Sequence, residues 1–196
     1  MRNPVTEDDV EMLEATARTT TDHRNAAARL TGCAHEPVPG DEPSPARLLV
    51  AAAWHREQAG ERAVALDLYR RAVTAPGSAP PDTRCWLHSA LLTAGLVHEA
   101  RQLADEIRRE SPSDLSVFEV VGESYEEAGD LAQAHRWFTM GTRHVDLDGL
   151  DELTAEDDAS GYALVSARRR VRRLLDLPLD ALDEFVAPIP WLEGED

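Results

Sequence analysis

Apolar residues recur at helical spacing on both sides of a glycine in residues 118–141. Steps of three or four residues place such positions on one face of a helix. Two small residues, Gly122 and Ala134, lie where the two helices would cross closely. The pattern predicts a hairpin of two antiparallel helices joined at Gly129. The apolar positions are Phe118, Val121, Tyr125, Leu131, Ala134, Trp137 and Phe138.

The same pattern recurs upstream, because the intervals from Gly60 to Gly95 and from Gly95 to Gly129 are 35 and 34 residues. An alanine lies five residues after each glycine, and two further inward positions follow at helical spacing. These positions are Ala65, Tyr69 and Ala72; Ala100, Ala104 and Ile107; and Ala134, Phe138 and Gly141. A repeat of this length predicts hairpins that stack, because one hairpin cannot bury its apolar face alone.

The three repeats, residues 46–146, resemble the tetratricopeptide repeat (TPR) family. The third repeat is the closest to the family pattern, through Gly122, Tyr125, Gly129, Ala134 and Phe138. The first departs from it at Ala53 and Arg56, and the second at His88 and Ala104. The resemblance implies an all-α fold whose hairpins stack as a short right-handed superhelix, an α-solenoid. It also implies a concave groove that binds peptides or partner proteins.

Residues 1–34 are predicted to be an N-terminal helical segment that starts after Thr6, a suitable N-cap. The polar residues 19–22 interrupt the apolar pattern, and a second helix is expected over residues 23–30, ending at Gly32. One bent helix is the alternative. Residues 35–45 contain four prolines and predict a loop, after which Pro45 starts the next helix.

After the repeats, residues 147–161 are predicted to be an acidic loop and residues 162–186 capping helices. The first of these helices, residues 162–177, is expected to bury an apolar stripe, and a short helix capped by Asp180 follows. The stripe consists of Leu164, Val171, Leu174 and Leu175. Residues 187–196 are predicted to be an extended tail. Its apolar residues 189–192 either pack on the last helix or dock on a second copy as a homodimer.

The net charge of −17 argues against nucleic acid and anionic membranes as partners and favours a protein or peptide that is basic. The first residues contain no apolar signal region, and no apolar run is long enough to span a bilayer. Cys33 and Cys85 are the only cysteines, which fits a reducing cytosol. The prediction is a cytoplasmic protein. Abundant alanine, and arginine without lysine, suggest a GC-rich bacterial genome.

The residues predicted to line the concave groove form an apolar end and an acidic end. At the apolar end Trp54 is either a binding hot spot or part of the core. The acidic residues are a surface for a basic peptide, a solvated helix face or salt-bridge partners of residues 168–173. The candidates are Val50, Trp54, Glu57, Ser89 and Leu92, followed by Glu119, Glu123, Glu126 and Glu127.

The arginine-rich residues 168–173 are interpreted as a solvated face that pairs with the acidic residues 151–158 upstream. Cys33, His35 and Glu36 offer too few ligands for a metal site. No catalytic or phosphate-binding motif occurs, so we expect neither an enzyme nor a cofactor. The sequence predicts a non-catalytic protein-interaction or scaffolding module. The alternatives are a regulatory sensor for a small molecule or peptide, and a self-associating structural protein.

Overall fold

The computed structural model describes residues 2–147, 153–154 and 158–186. Within them the regular secondary structure is helical, apart from an isolated bridge between Leu153 and Val186. The prediction of an all-α protein is therefore confirmed. The helices are α1 (Glu7–Thr16), α2 (Thr20–His35), α3 (Pro45–Gln58), α4 (Arg62–Thr74), α5 (Thr83–Thr93), α6 (Val97–Arg109), α7 (Leu115–Glu127), α8 (Leu131–Gly141), α9 (Ala159–Leu174) and α10 (Ala181–Glu184), with a 3₁₀ turn at Thr142–His144.

The chain divides into two compact units, Met1–Ile107 and Arg108–Asp196. The predicted superhelix extends over parts of both units, and it stays a prediction. The predicted tail, residues 187–196, lies outside the described residues. So do residues 148–152 and 155–157 of the predicted acidic loop.

The N-terminal segment contains two helices, each started by a capping box. Thr6 pairs with Asp9 at the start of α1, and Thr19 pairs with Asp22 at the start of α2. The predicted break between two helices is confirmed, but residues 20–22, which were expected to lie in it, form the first turn of α2. The predicted end at Gly32 is also wrong, because α2 continues to His35. A glycine inside a helix costs only about 1 kcal/mol relative to alanine, so the other residues of α2 outweigh it.

In the first unit α3 is the central helix, because α2 and α4 pack extensively against it and α1 and α5 contact it as well. It starts as predicted, with Pro45 in its first turn and Ser44 as the N-cap. Four of its alanines are buried, and their small side chains let the neighbouring helices approach closely. These are Ala46, Ala51, Ala52 and Ala53.

The three predicted turn glycines each lie between two helices with a positive φ angle. The angles are +78° at Gly60, +74° at Gly95 and +78° at Gly129. A side chain is disfavoured in this left-handed conformation, so glycine is suited to these turns. The positions predicted to point inward are all buried, which supports the spacing argument. They are Ala65, Tyr69, Ala72, Ala100, Ala104, Ile107, Ala134, Phe138 and Gly141.

Glycine also creates space in the second unit, where α7, α8 and α9 pack together. The ring of Phe138 on α8 fills the position that a Cβ at Gly122 on α7 would occupy. At Gly141 a Cβ would overlap Phe118 and Leu164. The prediction that Gly122 lies at a close approach of two helices therefore holds, and Phe138 is the side chain that uses the space.

The arginine run does not form the solvated face that the sequence suggested. Arg168 is only 5% exposed, and it binds Asp180 and the fully buried Asp183. Arg172 lies 2.7 Å from the Asp183 carboxylate. These acids lie downstream of α9, at the predicted cap of α10, where a charge that loses water must find a partner. The predicted stripe is wrong at Leu174, which is 58% exposed, because α9 ends there.

Gly122→Ala should destabilise the protein by about 1–3 kcal/mol, because the added methyl group overlaps the Phe138 ring. Gly32→Ala is the matched control, since Gly32 is helical and has no atom near its Cβ position. It should be neutral or stabilising by up to about 1 kcal/mol. Urea unfolding followed by circular dichroism measures both. Equal stability of the two variants would contradict the packing described at Gly122.

Asp183→Ala should cost about 3 kcal/mol, because it leaves Arg168 buried without one of its two carboxylate partners. Glu184→Ala, in the same short helix, changes an exposed side chain and should stay within about 0.5 kcal/mol of wild type. Thermal unfolding at matched protein concentration compares the two. A loss as small in Asp183→Ala as in the control would mean that the ion cluster contributes nothing to stability.

Candidate functional site

The first unit contains a groove of about 370 Å³ with three aromatic residues in its wall. Trp54 comes from α3, Tyr69 from α4 and Trp86 from α5. The complete lining is Glu14, Arg47, Val50, Ala51, Trp54, Tyr69, Ala79, Pro80 and Trp86. The four residues from α3 follow one another at steps of three or one, so they form one side of that helix. The alanines Ala46, Ala52 and Ala53 pack elsewhere.

The aromatic wall is held by hydrogen bonds at two places. The Trp86 indole N–H donates to the Pro80 carbonyl at 2.8 Å, which fixes the indole on the loop before α5. The Tyr69 hydroxyl donates to Glu57 Oε2 at 3.0 Å. Trp54 is half-buried, and within the described residues no atom accepts a hydrogen bond from its indole N–H.

The Glu57–Tyr69 contact brings a carboxylate next to the apolar groove. Burial raises the pKa of Glu57, while the Tyr69 hydrogen bond and Arg62 oppose that rise. Burial also raises the pKa of Tyr69, and the nearby carboxylate adds to it. The phenol therefore stays protonated and acts as a donor, and the carboxylate remains the acceptor.

At the α1 side of the groove two carboxylates face one guanidinium group. Arg47 lies 3.3 Å from Glu14 and 3.5 Å from Glu7, both of which belong to α1. One guanidinium thus faces two carboxylates, and this edge of the groove carries no excess positive charge.

Behind Trp54 lies a pair of histidines that joins α2 to α3. The Nδ1 atoms of His23 and His55 are 2.9 Å apart. The ring centres of His23 and His55 lie 5.7 and 4.9 Å from the Trp54 ring, both edge-on. His55 is completely buried. Burial, and secondarily His23, lower the pKa of His55 to about 4.

The structure brings part of the predicted apolar set together. Val50 and Trp54 line the groove, and Glu57 adjoins it through Tyr69. Ser89 is half-buried and Leu92 is buried on α5, and neither belongs to the groove lining. Trp54 is thus neither fully exposed nor plain core, because one part of it packs on histidines and another forms the groove wall.

Sequence reasoning missed several lining residues. Tyr69 was assigned only to the layer between helices, and Trp86, Pro80, Arg47 and Glu14 were not selected. The one available signal is Trp86 itself, a large aromatic residue soon after a proline pair and a helix start. Glu14 and Pro80 lie on different elements from α3, so no helical period connects them with Trp54.

The four predicted glutamates lie on α7 in the second unit. Glu126 makes a two-pronged salt bridge with Arg170 of α9, with both N–O distances at 2.8 Å. This confirms, for Glu126, the alternative of a salt bridge to the arginine run. Burial raises the pKa of Glu119 and Glu123, and for Glu123 the neighbouring Glu119 adds to the rise while Arg170 opposes it. Glu127 is exposed.

Comparison with known proteins gives no further identification. No protein-family model matches the chain, and no curated protein or solved structure shows significant similarity to it. Within the part of the chain that the structure describes, no three His, Cys, Asp or Glu residues gather as a metal site. The helices described there include none with the length and apolarity needed to cross a bilayer.

Tyr69→Phe should destabilise the first unit by about 1–2 kcal/mol and raise the pKa of Glu57 further, because the half-buried carboxylate loses its donor. Tyr162→Phe is the control, since no described residue bonds the Tyr162 hydroxyl. Urea unfolding gives the stability, and a carbon-detected NMR titration follows the Glu57 carboxyl. An unchanged Glu57 titration in Tyr69→Phe would show that this hydrogen bond is not formed in solution.

Proposed function

We propose that the chain is a non-catalytic protein-interaction module whose groove in the first unit binds an extended segment of a partner protein. The observation that carries the proposal is the groove itself, walled by Trp54, Tyr69 and Trp86 from three helices. Tryptophan and tyrosine dominate interface hot spots because they bury a large area with few rotatable bonds. The half-buried Trp54 has an indole N–H with no acceptor in the part of the chain that the structure describes, and a partner carbonyl would supply one.

The chemistry of the groove favours one kind of segment. Its apolar centre, which includes Val50, Ala51 and Pro80, suits an aliphatic or aromatic side chain. The carboxylates of Glu57 and Glu14 lie next to that centre, and Arg47 is already offset by two acids. The chain carries a net charge of −17. We therefore propose a segment with one large apolar residue flanked by Arg or Lys.

The proposal extends to the tetratricopeptide-like arrangement. The groove takes residues from α3 and α5, which are the first helices of the first two predicted repeats. In that family the first helices of the repeats line the concave face. The turn glycines, at intervals of 35 and 34 residues, support the same interpretation. We propose accordingly that the repeats stack as an α-solenoid and that the protein acts as a scaffold in a bacterial cytoplasm.

A small-molecule sensor is the second candidate, and one observation favours it. The groove volume of about 370 Å³ falls within the range of roughly 300–1,000 Å³ that is typical of small-molecule pockets. Fragments that bind with low micromolar affinity and shift the Trp54 resonance, in the absence of any selected peptide, would favour the sensor over the peptide-binding module.

A displayed library of random twelve-residue peptides, selected on the full chain at pH 7.5, tests the proposal. Peptides should be recovered that carry an apolar residue beside Arg or Lys. Trp54→Ala and Trp86→Ala should each weaken their binding by about tenfold or more, as expected for hot-spot truncation. Leu174→Ala is the control, because it removes an apolar side chain that is 58% exposed in the second unit.

Isothermal titration with the synthetic peptides measures these affinities. The proposal fails if no peptide is recovered, or if the recovered peptides bind Trp54→Ala and Trp86→Ala as tightly as wild type. Equal loss in Leu174→Ala would mean that the peptides respond to general hydrophobicity and not to the groove.

A further inference from the structure

The His23–His55 contact admits one favourable arrangement of protons while both rings are neutral. Their Nδ1 atoms face each other at 2.9 Å, so one must donate and the other accept. His55 Nε2 is buried and has no hydrogen-bond partner among the described residues. A proton there would be an orphan donor, which folded proteins rarely tolerate. We therefore assign the donor as His55 Nδ1–H and the acceptor as His23 Nδ1.

A proton taken up from solvent cannot be accommodated in this arrangement. If His23 Nδ1 is protonated, two N–H groups point at each other across 2.9 Å. The bond can persist only if His55 moves its own proton to Nε2, which places an orphan donor in the core. A second proton would put two cations in contact. Each step costs free energy, so protonation weakens the hydrogen bond that joins α2 to α3.

The charged residues nearest in sequence to the pair are already engaged. Arg24 follows His23 and Arg56 follows His55, and both guanidinium groups bind Glu61 at the start of α4, at 2.6 Å each. Glu57 of α3 accepts from Tyr69 of α4. Among the described residues this local network leaves no carboxylate hydrogen-bonded to either imidazole.

The other elements that pack on α3 supply no such partner either. Asp22 of α2 adjoins His23 and interacts with it electrostatically, but its carboxylate accepts its hydrogen bonds from the capping box with Thr19. From α1, Glu14 pairs with Arg47 across the groove. At the start of α5, Asp82 binds Arg84. Among the described residues His55 is therefore buried without a carboxylate hydrogen-bonded to its ring, which is unfavourable to a positive charge there. The lowered pKa of His55, about 4, agrees with this.

Trp54 connects the pair to the groove. Its ring touches both imidazoles edge-on, with centres 5.7 and 4.9 Å away, and it also forms the groove wall. Because the core is close-packed, a movement of either imidazole must change the position of the indole.

We infer that the His23–His55 hydrogen bond is a proton-operated catch, which holds Trp54 in the groove wall while both imidazoles are neutral and releases it when the pair takes up a proton. The sign follows from the folded state, which binds the proton more weakly than the unfolded chain does. The stabilising effect is complete above about pH 6.5, and it is lost as the pH falls towards about 4. Only the consequence for partner binding rests on the function proposed above.

The first test follows Trp54 directly, without a ligand. The chain is labelled with 5-fluorotryptophan at its four tryptophans, and the Trp54 ¹⁹F signal is identified from its absence in Trp54→Phe. Between pH 7.5 and pH 4 this signal should move with a titration midpoint between about 6.5 and 4. The Trp137 signal should stay in place and so show that the second unit remains folded and that the change is confined to the first unit.

Two histidine variants decide the origin of that movement. His23→Gln and His55→Gln should each reduce it at least threefold. His23 is only half-buried, so its variant keeps the test valid if His55→Gln does not fold. His98→Gln, at an exposed position on α6, should behave as wild type. A Trp54 signal that does not titrate, or that titrates equally in wild type and His23→Gln, overturns the catch.

The second test links the catch to binding and uses the tightest peptide selected at pH 7.5. Its Kd should rise at least threefold from pH 7.5 to pH 5 in wild type, and less than twofold in His23→Gln. An equal rise in both proteins would overturn control of binding by the catch. If no peptide is recovered, the proposed function fails, whereas the Trp54 signal still decides the catch by itself.

Discussion

Close packing against α3 is the constraint on which the first unit depends. The alanines of this helix allow α2 and α4 to approach it closely, and this burial fixes how the helix is rotated about its axis. The rotation in turn decides which of its residues remain for other purposes. Arg47, Val50 and Trp54 lie on the side that forms the groove. The core and the candidate site are thus two faces of one helix.

In the second unit helices also pack closely, with glycine in place of alanine at the contacts. Gly122 and Gly141 make room for Phe138, Phe118 and Leu164, so that aromatic rings fill the gaps between helices. Ion pairs join α9 to α10 at the end of this unit. Arg168 and Asp183 are buried together, and their contact, with those to Asp180 and Arg172, offsets the desolvation of both.

Local signals in the sequence predicted much of the fold. Gly60 and Gly129 stood out because a left-handed turn requires glycine, and Ala65 and Ala134 because a close helix crossing requires a small side chain. The break between the first two helices was predicted, but α2 starts at Thr20 and not at His23, because the capping box of Thr19 and Asp22 was not recognised. The buried role of Arg168 was beyond any local pattern, because its partners lie 12 and 15 residues downstream.

The candidate site was less accessible to sequence reasoning for the same physical reason. Trp54 and Val50 share a helix face and could be selected together, whereas Trp86 and Glu14 come from other helices and meet them only in the folded unit. The histidine contact is a further case, because His23 and His55 lie 32 residues apart on different helices. Periodicity describes one helix at a time, and a groove is formed by several.

The alanine-rich core has a consequence for the thermodynamics of folding. Alanine has no side-chain rotamers to immobilise, so burying it costs almost no side-chain entropy, but its methyl group also removes little apolar area from water. The favourable burial is therefore concentrated in a few large side chains such as Tyr125, Phe138 and Leu30. Such a chain tolerates substitutions along most of its length, and its free energy of unfolding depends on a small number of bulky residues.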